Sequence, residues 1–140
     1  MVDGDVVGAM ATFHEAVRAE PNQPAAHCQL GSAQRANGDT TDALTSFQTC
    51  ARLARQSNDA VNEGRGLLGA AQILVLDRSR RDEARRAVAA LRGFADTHAL
   101  VFAGPSAEAM QRALDTIIEL DAVSSEVRQR REARAAQNDS

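Results

Sequence analysis

The sequence predicts an all-α protein made of antiparallel helix pairs stacked side by side, and three observations carry that prediction. The first is composition. The chain is rich in Ala, Leu, Arg, Glu and Gln, has only three prolines, and its sole aromatic residues are four Phe. Such a chain favours helices, whereas a sandwich or barrel would show alternating β-branched and aromatic runs. The second is spacing: apolar residues recur three and four positions apart, as one face of a helix requires. The third is self-similarity. Gly4, Asp5, Ala9, Phe13 and Ala16 are followed thirty-four positions later by Gly38, Asp39, Ala43, Phe47 and Cys50.

The elements follow in chain order. A first helix over 5–19 carries Val6, Val7, Met10, Phe13 and Val17 as its apolar residues. Pro21 and Pro24 bracket a short connection, and Pro24 suits the first turn of a helix over 24–37. Asn37-Gly38 marks a turn, after which Asp39 or Thr40 caps a helix over 40–55. Ala43, Leu44, Phe47, Cys50, Ala51 and Ala54 form one stripe of that helix. Gly31 and Ala43 sit where the two helices cross, small enough for the backbones to approach. Helices over 59–76 and 80–96 repeat the arrangement with wider spacing: Gly31 to Gly69 is 38 residues and Ala43 to Ala84 is 41. Phe102-Ala103-Gly104-Pro105 breaks the chain, and Ser106, Glu108 and Ala109 open a last helix over 106–121 with a stripe of Met110, Ala113, Leu114, Ile117 and Leu120.

The 34-residue offset is the period of a known helix–turn–helix repeat. His27-x2-Leu30-Gly31-x2-Gln34 leads to Ala43-x3-Phe47, and Arg65-x2-Leu68-Gly69-x2-Gln72 leads to Ala84-x3-Val88. Over residues 4–95 the chain resembles the tetratricopeptide-repeat family. The Leu-Gly and Ala-x3-Phe elements match, while the family's Trp and Tyr places hold His27 and Gln34 in one unit and Arg65 and Gln72 in the next. The longer third unit and the Arg55-Gln56-Ser57-Asn58-Asp59 linker resemble the lengthened repeats of the LGN/Pins polarity adaptors and kinesin light chains. The resemblance implies a short right-handed superhelix, an α-solenoid. Its parts would be repeats within 1–97 (a half repeat 4–21, then 24–55 and 59–96), a capping helix in 98–123 and an Arg-rich tail in 124–140. That tail, with Arg128, Arg130, Arg131 and Arg134, reads as a solvated helix end or a disordered stretch.

In this family the first helices of successive pairs line a concave groove. The resemblance therefore places Cys28, Gln29, Ser32, Arg35 and Ala36 in the groove from one unit, and Gly66, Ala70, Ile73 and Leu74 from the next. A mostly small and apolar lining with Arg35 as its cation suits an extended segment or amphipathic helix, with Arg35 free to pair with a carboxylate. The Lys and Asn with which some members clamp chaperone tails are replaced by Cys28, Ser32, Gly66 and Ala70, so that mode is not expected. The first helix has no partner helix before it. That points either to a cut from a longer array or to self-association through that helix and helix 106–121.

Chemistry is thinly represented. The histidines are His14, His27 and His98, and the thiols are Cys28 and Cys50. His27 and Cys28 are neighbours on one helix and point about 100° apart, so they do not clamp one metal. Gly64-Arg65-Gly66 and Gly69 lack the spacing of a phosphate loop. Two cysteines are too few for a disulfide framework in a secreted chain this long; Cys50 is expected to pack, and Cys28 to face the groove. All 16 basic residues are Arg, yet the net charge is −3, which argues against nucleic acid as a partner. No stretch reaches the ~18 apolar residues of a membrane span, and residues 1–8 lack the basic start of a signal peptide. The expectation is a cytoplasmic adaptor or scaffold that holds a protein or peptide, is not an enzyme, and uses no cofactor or metal.

Overall fold

The computed structural model describes residues 4–98 and 105–138, and among these every regular element is helical. They are α1 (Gly4–Ala19), α2 (Pro24–Ala36), α3 (Thr40–Gln56), α4 (Ala60–Val75), α5 (Arg81–Thr97) and α6 (Pro105–Asn138), with a 3-10 turn at Arg78–Arg80 before α5. The first five agree with the sequence to within a residue or two. The last does not stop at 121 but runs on to Asn138. Its final residues are Ala, Arg, Glu and Gln, strong helix formers, and Arg130 donates to Glu126 one turn back at 2.8 Å. Residues 126–138 are exposed throughout, so this stretch is a solvated helix end. The Phe102–Gly104 break and the side chains of Met110, Ala113, Leu114, Ile117 and Leu120 lie outside the described residues.

Local chemistry sets the hairpins. After α2 the chain turns at Gly38, whose φ of 87° suits glycine. There Gly38 N–H donates to the Arg35 carbonyl at 3.0 Å and Asp39 N–H to Gln34 at 2.8 Å, satisfying the open carbonyls of the helix end. The same pairing closes α3, with Asn58 at φ 57° in the glycine's place and Asp59 N–H reaching Ala54 at 2.8 Å. Asp59 then caps α4 by accepting from Asn62 N–H. Asp39 stands at the cap position of α3 as expected, but its carboxylate accepts from the Asn37 amide at 2.8 Å rather than from the helix.

Consecutive helices pack against one another. In addition α2 touches α4 and α4 touches α6, while among the described residues α1, α3 and α5 do not touch one another. The even-numbered helices therefore touch one another in series, α2 to α4 to α6. The core includes Leu44, Phe47, Ala71, Leu74, Val75, Ala84, Val88 and Leu91. Phe47 is its pivot. Its ring is clasped between two glycines: a methyl on Gly31 would stand 3.2 Å from the ring, and one on Gly69 only 2.5 Å. The Leu-Gly positions of the repeat are thus where α2 and α4 close on the aromatic residue of α3.

One expectation is corrected here. Cys28 and Cys50 are joined as a disulfide, with Cα atoms 5.3 Å apart and both side chains fully buried. Cys50 does pack in the core, but Cys28 does not face a groove. The reason is register: each cysteine stands eleven positions from Asp39 at the hairpin turn, so the antiparallel helices bring them face to face. The small cysteine count alone favours a cytoplasmic setting, and the disulfide removes that support, since persistent disulfides belong mainly to oxidising compartments.

Candidate functional site

A cleft of about 520 Å³ lies between α2 and α4. The α2 edge supplies Ser32, Arg35 and Ala36; the α4 edge supplies Arg65, Leu68, Gly69 and Gln72; Phe47 forms part of the wall. Packing on Phe47 fixes this geometry. With Gly31 and Gly69 pressed on the ring, the neighbouring turns of the two helices are left facing each other across open space.

The α2 half of the groove matches the sequence expectation at three residues. Ser32, Arg35 and Ala36 are exposed and line the cleft. Gln29 is also exposed but borders the next cleft, between α1 and α2, and Cys28 is sealed in the disulfide. The α4 half is displaced around the helix. Gly66 and Ala70 are buried and border the opposite surface with Ala51, Arg52 and Arg55, Leu74 is buried in the core, and Ile73 is partly buried in an adjoining pocket that it shares with Arg35 and Gln72. Ser32, Arg35 and Ala36 lie on the edge of α2 that faces α4, whereas Ala70 and Leu74 lie on the side of α4 that faces α5, beside Glu83, Arg86 and Ala87. The edge of α4 that faces α2 is Arg65, Leu68 and Gln72. Aligning the two glycines could not reveal this; the hydrophilic spacing of Arg65 and Gln72 on either side of Gly69 could.

The cleft is cationic and hydrogen-bonding. Arg35 Nη1 donates to Gln72 Oε1, joining its two edges. Arg65 Nη1 donates to Asn62 Oδ1 at 3.0 Å. No carboxylate is among the lining residues, and no ion pair to either guanidinium occurs among the described residues, so both can receive an anionic group. Elsewhere, charges are spent on structure. Arg55 pairs with Glu63 at 3.1 Å. Arg80 holds Glu83 through two bonds of 2.9 and 2.6 Å, which lowers the Glu83 pKa and raises that of Arg80. Ser79 holds Asp77 below the usual carboxylate range through its hydroxyl and its backbone N–H.

The histidines are scattered. His27 contacts the Pro21 carbonyl at 2.7 Å, and His98 stacks on Phe94 with centroids 4.2 Å apart. Among the described residues no cluster of three or more His, Cys, Asp or Glu is placed to hold a metal, and no helix is long and apolar enough to cross a membrane. Compared with known proteins, the chain matches no family model, no curated protein and no solved structure.

Proposed function

We propose that this chain is a protein-interaction module of the tetratricopeptide kind, an adaptor or scaffold that holds a partner segment in the cleft between α2 and α4. The repeats would stack as a short right-handed solenoid with α6 as its cap. One observation carries the reading: an open cleft in which the exposed Arg35 and Arg65 and the partly buried Gln72 stand beside the apolar Leu68, with no carboxylate among its lining residues. Such a lining offers an apolar anchor and two charge-assisted donors, which suits a peptide carrying an acidic residue. The same reading assigns no catalytic role, cofactor or metal, and no nucleic-acid partner, in keeping with the net charge of −3 and the scattered histidines.

The test is site-specific photocrosslinking in extracts of the source cells. A photoreactive residue at Ala36 is expected to trap a protein partner, while one at Ala89, exposed on α5, does not, and Arg35→Glu weakens the adduct. Equal labelling from both positions, or none from Ala36, would count against the cleft. A second reading, self-association, rests on a different observation: Val6, Ala9 and Phe13 of α1 are only partly covered and Val7 is 55% exposed. Light scattering separates the two, because an interaction module with a foreign partner stays monomeric as its concentration rises.

A further inference from the structure

The turn between α2 and α3 carries a reactive pair. Of the five asparagines, Asn22, Asn37, Asn58, Asn62 and Asn138, Asn37 is the one followed by glycine. A backbone nitrogen can attack the side-chain amide carbon of the asparagine before it, and glycine spares that nitrogen the crowding that a side chain brings. A bond forms between the Gly38 nitrogen and Asn37 Cγ, the Cγ–Nδ2 bond breaks, and ammonia leaves with the Gly38 proton. Water then opens the cyclic imide at either of its C–N bonds. One opening gives aspartate; the other gives isoaspartate, in which the main chain runs through the former side chain.

The folded turn holds this chemistry off. Asn37 has φ −83° and ψ −4°, whereas closing the five-membered ring needs the Gly38 nitrogen eclipsed with Cβ. The Gly38 N–H is engaged with the Arg35 carbonyl at 3.0 Å. The leaving amide nitrogen is anchored on the Asp39 carboxylate at 2.8 Å, and the buried Asn37 Oδ1 meets no donor among the described residues that would polarise the amide. The next turn is a comparison within the chain: Ser57, Asn58 and Asp59 take the places of Asn37, Gly38 and Asp39 with the same pair of backbone hydrogen bonds, and without an Asn-Gly pair. We propose that Asn37 is a deamidation site gated by the α2–α3 turn, protected while the turn is closed and reacting when it opens. Either product then keeps the turn from closing as before. Isoaspartate lengthens the main chain, so the Gly38 and Asp39 N–H groups no longer both reach the Arg35 and Gln34 carbonyls. Aspartate sets a carboxylate where an amide donates to Asp39, and two like charges meet at hydrogen-bond distance. The reaction does not depend on what the cleft holds.

The test incubates the 140-residue protein at neutral pH, folded and in urea, and follows each asparagine by peptide mapping and mass spectrometry, with an isoaspartyl methyltransferase to count isoaspartate. In urea the Asn37 peptide is expected to deamidate roughly tenfold faster than those carrying Asn22, Asn58 or Asn62, and Gly38→Ala to slow it several-fold. That variant is read in urea, where its effect on folding does not enter. In the folded protein Asn37 is expected to react roughly tenfold more slowly than in urea, because only opened molecules react. Asn37→Asp should lower the Tm by about 3 °C, and Asn37→Ser, which copies the next turn, should lower it less. An Asn37 that reacts no faster than the other asparagines in urea, or equally fast folded and unfolded, overturns the proposal. So does an Asn37→Asp protein that melts with the unmodified chain, or whose shift Asn37→Ser reproduces.

Discussion

Replacing both Cys28 and Cys50 with alanine removes the cross-link between α2 and α3 without touching the solvent-facing surface. The bond spans a sequence separation of 22 residues. Closing a loop of that size in the unfolded chain corresponds to about 3.4 kcal/mol at 25 °C on the chain-entropy account. For a chain of 140 residues, an unfolding entropy near 2.1 cal/mol/K per residue turns this into a fall in Tm of about 12 °C. Deleting two fully buried sulfur atoms adds to the loss. The assay is a thermal melt of the oxidised protein, the reduced protein and the double variant, with intact mass and a non-reducing peptide map to establish the bond. The expected order is oxidised well above the other two, with helical content at low temperature little changed. A native protein whose cysteines both react as free thiols when purified without reductant, or a double variant within about 3 °C of the oxidised chain, would refute the reasoning.

Three further perturbations test the packing and the charges. Phe47→Ala empties the space between Gly31 and Gly69 and should cost about 3–5 kcal/mol in a urea melt, as other buried aromatic deletions do. Gly69→Ala forces a methyl to within 2.5 Å of the Phe47 ring, against 3.2 Å for Gly31→Ala; the former should cost about 1–3 kcal/mol and the latter less, with Phe47→Leu recovering part of the loss in the Gly69 variant only. The carboxylates of Asp77 and Glu83 sit below their ordinary pKa because Ser79 and Arg80 hold their charged forms. Their contribution is therefore complete above the ordinary carboxylate range and is lost as pH falls through the lowered values, below about pH 4. Amide hydrogen exchange at residues 77–83 should accelerate on acidification, after correction for intrinsic rates, and Ser79→Ala should flatten that dependence.

How much of this was legible in the sequence varied with the kind of signal. Helix positions were, because Pro24, Asn37-Gly38 and Asp59 are local instructions, and the stripe from Ala43 to Ala54 states its period in one stretch of chain. The clasp on Phe47 was foreshadowed by the recurring Leu-Gly pairs, though not that both glycines would close on one ring. The disulfide required combining two cysteines with the position of a turn, and counting thiols alone pointed the wrong way. The cleft was half visible. Ser32, Arg35 and Ala36 were placed because α2 offers them toward α4, but Gly66, Ala70 and Leu74 were assigned to the groove when α3 and α5 cover them. Rotation of a helix about its axis is set by what packs on both of its sides, and no single helix records that. The polarity of the tail beyond Ser124 said solvent, which holds, but its helix formers said helix, and they decided its conformation.

Hydrogen exchange on the chain with and without its crosslinked partner tests the central claim most directly. If the cleft between α2 and α4 holds the partner, protection rises at residues 32–36 and 65–72 while α5 is unchanged. Protection confined to α5 and α6, with those two segments exchanging as in the free chain, would contradict it.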